Sequence, residues 1–326
     1  MASLIARLQA IQAESENLHV ALTFDGCDDG GWDIVQSSLA LPDFHAQKID
    51  RSDIPNAGRA RRAAMSFGKD ILRQRYGSTQ LDSFLLLSTD ADTLPDPDWV
   101  RSARQHLDDV EIVAGYTRLD NADHCPQRKR LEAYLERLHT ERREIDPITY
   151  DPAPSHPFVG GANLGVRLSA YEAIGGVRPL ANGEDRDFVK RGRLAGFKVR
   201  HARDMKVTTS ARQVGRATSG LAAAICETEA GPIQVEHPFD AVAHYRSQAR
   251  LRQLFQKRDV DQAVIADLAI KLGISAQAFC QELKDAPSAD AFVTRVSDGT
   301  SNARVVALSM AGTLLDSLAS AGREVA

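Results

Sequence analysis

The sequence predicts an α/β fold: a mostly parallel sheet flanked by helices, followed by a helical C-terminal region. Three observations predict it. Short apolar runs end in carboxylates, amphipathic helical segments alternate with those runs, and the composition shifts to helix formers beyond Gly220. Ligands of such sheets bind outside the carboxyl ends of the strands, so the residues just after each run are the ones to read for chemistry.

The N-terminal stretch MASLIARLQAIQAESE sets Leu4, Ile5, Leu8 and Ile11 on one face. This is an amphipathic helix and lacks the apolar centre of a cleavable signal. Leu18 to Phe24 reads as a buried strand that runs into Asp25-Gly26-Cys27-Asp28-Asp29-Gly30-Gly31, a turn-rich loop. Residues 56–76 open on turn formers and continue as a long helix with a basic face. Ser83 to Ser88 is a continuous apolar run of the kind found inside a parallel sheet, and it ends in Thr89-Asp90-Ala91-Asp92. A helix is expected over 97–107, a strand over 110–115, and a charged helix over 127–144 with Leu131, Leu135 and Leu138 on one face.

Proline-rich residues 150–157 read as loop and 158–166 as strand. Gly183-Glu184-Asp185 opens a helix reaching about Ala195, and two short strands are expected near 197–201 and 205–208. Further helices are expected near 240–257, 260–272, 276–284 and 302–321, with an exposed loop over 297–302.

With 326 residues, 43% of them apolar, the chain is long enough to bury a sizeable core. Forty Lys and Arg against 44 Asp and Glu leave a formal charge of -4, without the basic excess of nucleic-acid binding, so no nucleic-acid partner is expected. Cys27, Cys125, Cys226 and Cys280 lie far apart, which favours a reducing compartment over a disulfide scaffold or zinc knuckle. No run approaches the roughly 18–20 apolar residues that span a bilayer. No transmembrane segment is expected, and the expected location is cytoplasmic.

Asp90-Ala91-Asp92 is the sharpest chemical feature. Alternate residues leaving a strand can aim two carboxylates at one hard cation, and oxygen ligands favour Mg²⁺ or Mn²⁺. The structural alternative is that these acids cap the following helix, as Asp96 or Asp98 could. Glu184-Asp185 follows a glycine and opens a helix, where a carboxylate can be held rigidly as a general base or can simply face the helix dipole. Arg59, Arg61 and Arg62 on one side, and Arg212 and Arg216 on the other, are placed to reach a diphosphate or to remain solvated. His156 and His201 are the histidines near these segments and are assigned no metal role.

Taken together, these segments resemble a nucleotide-sugar-dependent glycosyltransferase of family 2, with the GT-A fold. The resemblance covers about residues 18–216. Asp25 to Gly30 resembles the family's first acidic loop, Asn56-Ala57-Gly58-Arg59 its helix-opening loop, and Ser88 to Trp99 its DxD segment. Gly160-Gly161-Ala162-Asn163-Leu164, Ala170 to Gly176 and Gly183-Glu184-Asp185 follow in the family's order.

The resemblance implies a transferase of the hexosyl class that uses a nucleotide-sugar donor and an unknown acceptor. Asp25, Arg59, Asp90 and Arg212 would bind the donor, with Asp25 at the base and Asp90 at the ribose or phosphate. Asp92, with Asp90, would hold the metal. Asp185 would be the catalytic base, with Glu184 beside it, and a single displacement would invert the anomeric centre. Gly161, Ala162 and Asn163 would line the acceptor side.

The family's usual first strand is expected to be missing. Residues 1–216 are expected to form the transferase domain, and residues 217–326 a helical region that offers a lid, a homo-oligomer surface or a docking site. Two other readings stay open. Asp90-Ala91-Asp92-Thr93 also resembles the DxDxT signature of haloacid dehalogenase-type phosphatases, in which the first aspartate is the nucleophile. The fold could also serve as a non-catalytic GT-A partner subunit.

Overall fold

The computed structural model describes residues 1–36, 41, 43–50, 56–77, 81–213, 220–258, 260–297 and 303–323. Arg216 and residues 298–302 of the expected loop lie outside the described residues. Two compact units are interleaved along the chain. The first comprises Met1–Cys125, Pro154–Arg191 and Lys198–Glu227; the second comprises Pro126–Ala153, Gly192–Phe197 and Thr228–Ala326.

The chain opens with Ala2–Ala13 (α1), Val20–Asp25 (β1), Gly31–Gln36 (α2), Phe44–Ile49 (β2) and Ala57–Tyr76 (α3). Next come Leu85–Ser88 (β3), Thr93–Pro95 (β4), Trp99–Leu107 (α4), Ile112–Asp120 (β5) and Pro126–Ile145 (α5). The first unit resumes with Leu164–Arg167 (β6), Leu168–Ala173 (α6), Glu184–Leu194 (α7), Val199–Ser210 (β7) and Leu221–Glu229 (α8). As the apolar stripe of α1 predicts, Leu4, Ile5, Leu8 and Ile11 are buried, the first three in one cluster with Val20, Phe24, Val35 and Phe44.

The expectation of a mostly parallel sheet is corrected. The main sheet of the first unit has the order β3-β6-β5-β7-β4, and only its β5–β7 pair is parallel; β1 and β2 form a separate parallel pair. An apolar run reports that a strand is buried on both faces, whereas its direction is set by the sheet edge from which the chain enters. β6 enters from the edge at which β3 leaves, so Ser88 stands opposite Leu164. β4 enters where β7 leaves, so Thr93 stands opposite Thr209.

Three local readings are also corrected. The strand expected over 158–166 is reduced to β6, because Gly161–Asn163 forms a 3-10 turn. The two short strands near 197–208 are one strand, β7, whose pairing with β5 jumps from Gly115–Ala202 to Tyr116–Lys206. The polar Arg203-Asp204 pair sits in that bulge, which is why the apolar pattern looks broken. The helix expected over 302–321 begins only at Leu308, after a short strand.

The second unit contains α5 and then Gln234–Glu236 (β8), Pro238–Lys257 (α9), Gln262–Leu272 (α10), Ala276–Asp285 (α11), Ala289–Ser297 (α12), Val305–Ala307 (β9) and Leu308–Arg323 (α13). The ends of α10 follow from local chemistry. The Asp261 side chain accepts from Ala263 N at 2.6 Å, and Gly273 takes the left-handed conformation, φ 69°, that closes the helix. Phe279 and Phe292 are fully buried and meet edge to face at 5.4 Å, at the centre of the α9–α12 core. Among the described residues no single helix is long and apolar enough to cross a membrane. Only α10 and α11 together reach that length; they meet at 103°, and Leu268, Leu272 and Phe279 are in this core.

Beside this core, Arg252 bridges two carboxylates, Asp146 at 3.0 Å and Asp290 at 2.5 Å. Burial, with the Asp146 charge beside it, pushes Asp290 up to about 6. The folded chain therefore keeps this proton between pH 4 and 6, where the unfolded chain has already lost it, and this group's contribution to stability falls as pH rises through that window. Asp290→Asn should remove that slope. Urea unfolding at pH 4, 5, 6 and 7 should show the gap between wild type and variant changing by roughly 2–3 kcal/mol across the window.

Candidate active site

The site is organised by the first turns of α3. The Asn56 side chain caps the helix by accepting from Arg59 N at 2.8 Å, and Gly58 N donates to Leu180 O at 2.9 Å. A Cβ at Gly58 would lie 2.3 Å from Arg178 O, so only glycine permits this approach. Arg59, Arg61 and Arg62 then stand at the positive end of a helix dipole, where cations are unfavourable. Each has compensating acceptors. Arg59 donates to an Asp25 oxygen at 3.2 Å and to Asp50 O at 2.7 Å, and Arg62 donates to Val177 O at 2.9 Å.

Arg61 is the hub. Its Nε donates to Glu184 at 3.0 Å, one terminal nitrogen donates to Ser88 Oγ at 2.6 Å and Gly161 O at 2.5 Å, and the other donates to Asp90 at 2.8 Å. Burial alone would lower the Arg61 pKa; the Asp90 and Glu184 charges more than offset it, and the guanidinium is held above its ordinary value. One planar, permanently charged fork thus joins the end of β3, the turn before β6 and the start of α7.

Asp185 completes the arrangement. Its Oδ2 accepts from Gly161 N at 2.8 Å and its Oδ1 from Arg186 N at 2.7 Å. The Gly161 peptide is therefore clamped at both ends, by Asp185 on its N–H and by Arg61 and Ser88 on its carbonyl. A side chain at Gly161 would meet Arg61 Cζ at 2.3 Å, so the glycine makes room for the guanidinium. The antiparallel direction of β6 makes this possible: a parallel β6 would carry Gly161 to the opposite sheet edge.

Several sequence expectations change here. Arg61 is not placed to meet a diphosphate, because four of its five N–H groups are spent inside the fold. Glu184, read from the sequence as standing beside the base, is 5% exposed, and one of its oxygens accepts from Arg61 Nε at 3.0 Å. Asn163 is completely buried and cannot line an acceptor: its oxygen accepts from Trp99 Nε1 at 2.9 Å, and its amide donates to Tyr116 O and Met205 O. Its role is to tie the turn to β5 and β7. Gly161 is buried too, which leaves Ala162 as the partly exposed member of that trio. His156 and His201 are buried, their rings 5.8 Å apart.

Asp92 stands just before β4 and Arg212 just after β7, and the antiparallel pairing of those strands brings them into an ion pair at 2.8 Å. The second oxygen of Asp92 accepts from Thr93 Oγ1 at 3.4 Å. Asp90 and Asp92 are part-exposed carboxylates with only oxygen donors, and they fit a hard divalent cation of the kind held by one or two carboxylates together with substrate phosphates. Arg212 already neutralises Asp92, so a divalent cation at that carboxylate would have to displace it. Arg212→Ala should tighten Mn²⁺ binding several-fold, by freeing Asp92, while weakening nucleoside diphosphate binding about tenfold, by removing a charge-assisted donor. Calorimetric titrations of each ligand check both signs.

No family model and no curated protein matches the chain. Eighteen chains of solved structures match. One is the mannosyltransferase PcManGT from Pyrobaculum calidifontis in complex with GDP-Man and Mn²⁺, 16% identical, with a TM-score of 0.42 over 98% of this chain and 76% of that one.

Proposed function

We propose that this chain is a glycosyltransferase that moves a sugar from a nucleotide-diphosphate donor to an acceptor hydroxyl, with inversion at the anomeric carbon. One observation carries the reading: Arg61 joins Asp90 of the Asp-Ala-Asp segment to Glu184, whose neighbour Asp185 is fixed on the Gly161 amide. Asp90 and Glu184, one from each acidic motif, therefore meet at one guanidinium. That is what displacement at a sugar requires, since one charge set must manage a departing diphosphate and another must take a proton from the incoming alcohol.

Asp92 and Asp90 would hold Mg²⁺ or Mn²⁺, which when bound neutralises charge on the leaving diphosphate. The other roles belong to the chain itself. Asp25, fixed by Arg59, bounds the nucleotide end, and Arg212 offers a cation to the diphosphate. Each Asp185 oxygen accepts one backbone N–H and keeps a second lone pair, so the carboxylate is oriented and still able to take the acceptor's proton.

A phosphatase reading would make Asp90 the nucleophile through its Oδ2, since its Oδ1 is tied to Arg61. Incubation with nucleotide sugars, with and without Mn²⁺, separates the readings by product. Release of nucleoside diphosphate supports transfer, inorganic phosphate supports the phosphatase, and binding without turnover supports a partner subunit.

A further inference from the structure

A cluster of two histidines and an aspartate lies where β1 and β2 begin. Val20 N donates to Asp43 O at 2.8 Å, and the parallel register pairs Ala21 with His45, so His19, Asp43 and His45 gather at one end of the two-stranded sheet. Asp43 adopts a left-handed conformation, φ 66°, which aspartate tolerates better than most residues.

One ligand atom from each of the three side chains lies within 4.8 Å of the other two. His19 Nδ1 stands 3.2 Å from the Asp43 carboxylate, close to the roughly 3.3 Å edge of a tetrahedron with bonds near 2.0 Å. His19 Nδ1 and His45 Nε2 are also buried nitrogens with no hydrogen-bond partner. Buried polar nitrogens are normally satisfied, so two orphans converging on a carboxylate call for a shared ligand.

We propose that His19, His45 and Asp43 bind one divalent first-row transition ion, of which Zn²⁺ is the model, through two imidazole nitrogens and a carboxylate oxygen. A solvent molecule would fill the fourth position, since all three residues are only half-buried. The outer shell fits. His19 Nε2 is held by the Tyr76 hydroxyl at 2.9 Å, and that hydroxyl also reaches Asn17, which fixes the ring and turns Nδ1 toward the site. The ion would tie the start of β1, the start of β2 and, through Tyr76, the end of α3.

Zn²⁺ titrated into the chelator-treated full chain against a chromophoric competitor tests the site. One tight equivalent is expected in wild type and in Asp92→Ala. Affinity should fall at least 100-fold in His45→Ala, and about tenfold in Tyr76→Phe, an outer-shell change. Co²⁺ added to wild type should give the visible bands of a four-coordinate site, a readout that depends on no variant folding. Absence of any tight equivalent in wild type, retention of wild-type affinity in His45→Ala, or loss of the site in Asp92→Ala would overturn the assignment.

Discussion

Arg61→Met is expected to have the largest effect of any single substitution, destabilising the first unit by about 3–5 kcal/mol and abolishing turnover. The Arg61 side chain is 10% exposed and that of Glu184 6%, so the variant leaves a carboxylate inside the fold without its counter-charge. It also takes the guanidinium away from the Ser88 hydroxyl and the Gly161 carbonyl, which keep only their hydrogen bond to each other. Arg61→Lys should recover only part of the loss, because an ammonium cannot present the planar fork that reaches Asp90, Ser88, Gly161 and Glu184 together. Urea unfolding measures the first effect. The double variant Arg61→Met, Glu184→Gln checks its cause: it should be more stable than Arg61→Met alone, since it no longer buries an uncompensated charge.

Asp185→Asn should separate chemistry from binding. The carboxamide is nearly isosteric, its oxygen can keep the Gly161 N–H, and only the Arg186 N–H then faces an amide NH₂. Transfer should fall by about 10²–10⁴-fold, the range of a lost general base, with the donor Kd changed less than threefold. Retained transfer would remove Asp185 as the base.

The placing of the acidic residues at strand ends was legible in the sequence, because carboxylates following apolar runs mark sheet edges. Asp25, Asp90 and Asp92 follow such runs, and Glu184-Asp185 opens a helix as its glycine suggests. Sequence could not give strand direction, and direction decides the site: antiparallel β6 brings Gly161 to Asp90, and antiparallel β4 brings Asp92 to Arg212. Nor could it tell Arg61 from Arg59 and Arg62, since all three stand in the first two turns of one helix and which of them is buried depends on what packs against it. The available signal was energetic, because three arginines at a helix N-terminus oppose its dipole and need acids to offset them. Asn163 reads as a polar loop residue; only the packing of Trp99, Tyr116 and Met205 around it makes it internal. The membership of α5 in the same unit as α9–α13 is likewise a tertiary fact, for its charged pattern states only that one face is buried.

The central claim is that the two acidic motifs form one transferase centre. Its most direct test is the time course of nucleoside diphosphate release from a panel of nucleotide sugars, with Mn²⁺ or with chelator, for wild type and Asp92→Ala. Mn²⁺-dependent release from at least one donor is expected in wild type and none in Asp92→Ala. Equal release by both proteins, or inorganic phosphate as the product, would contradict it.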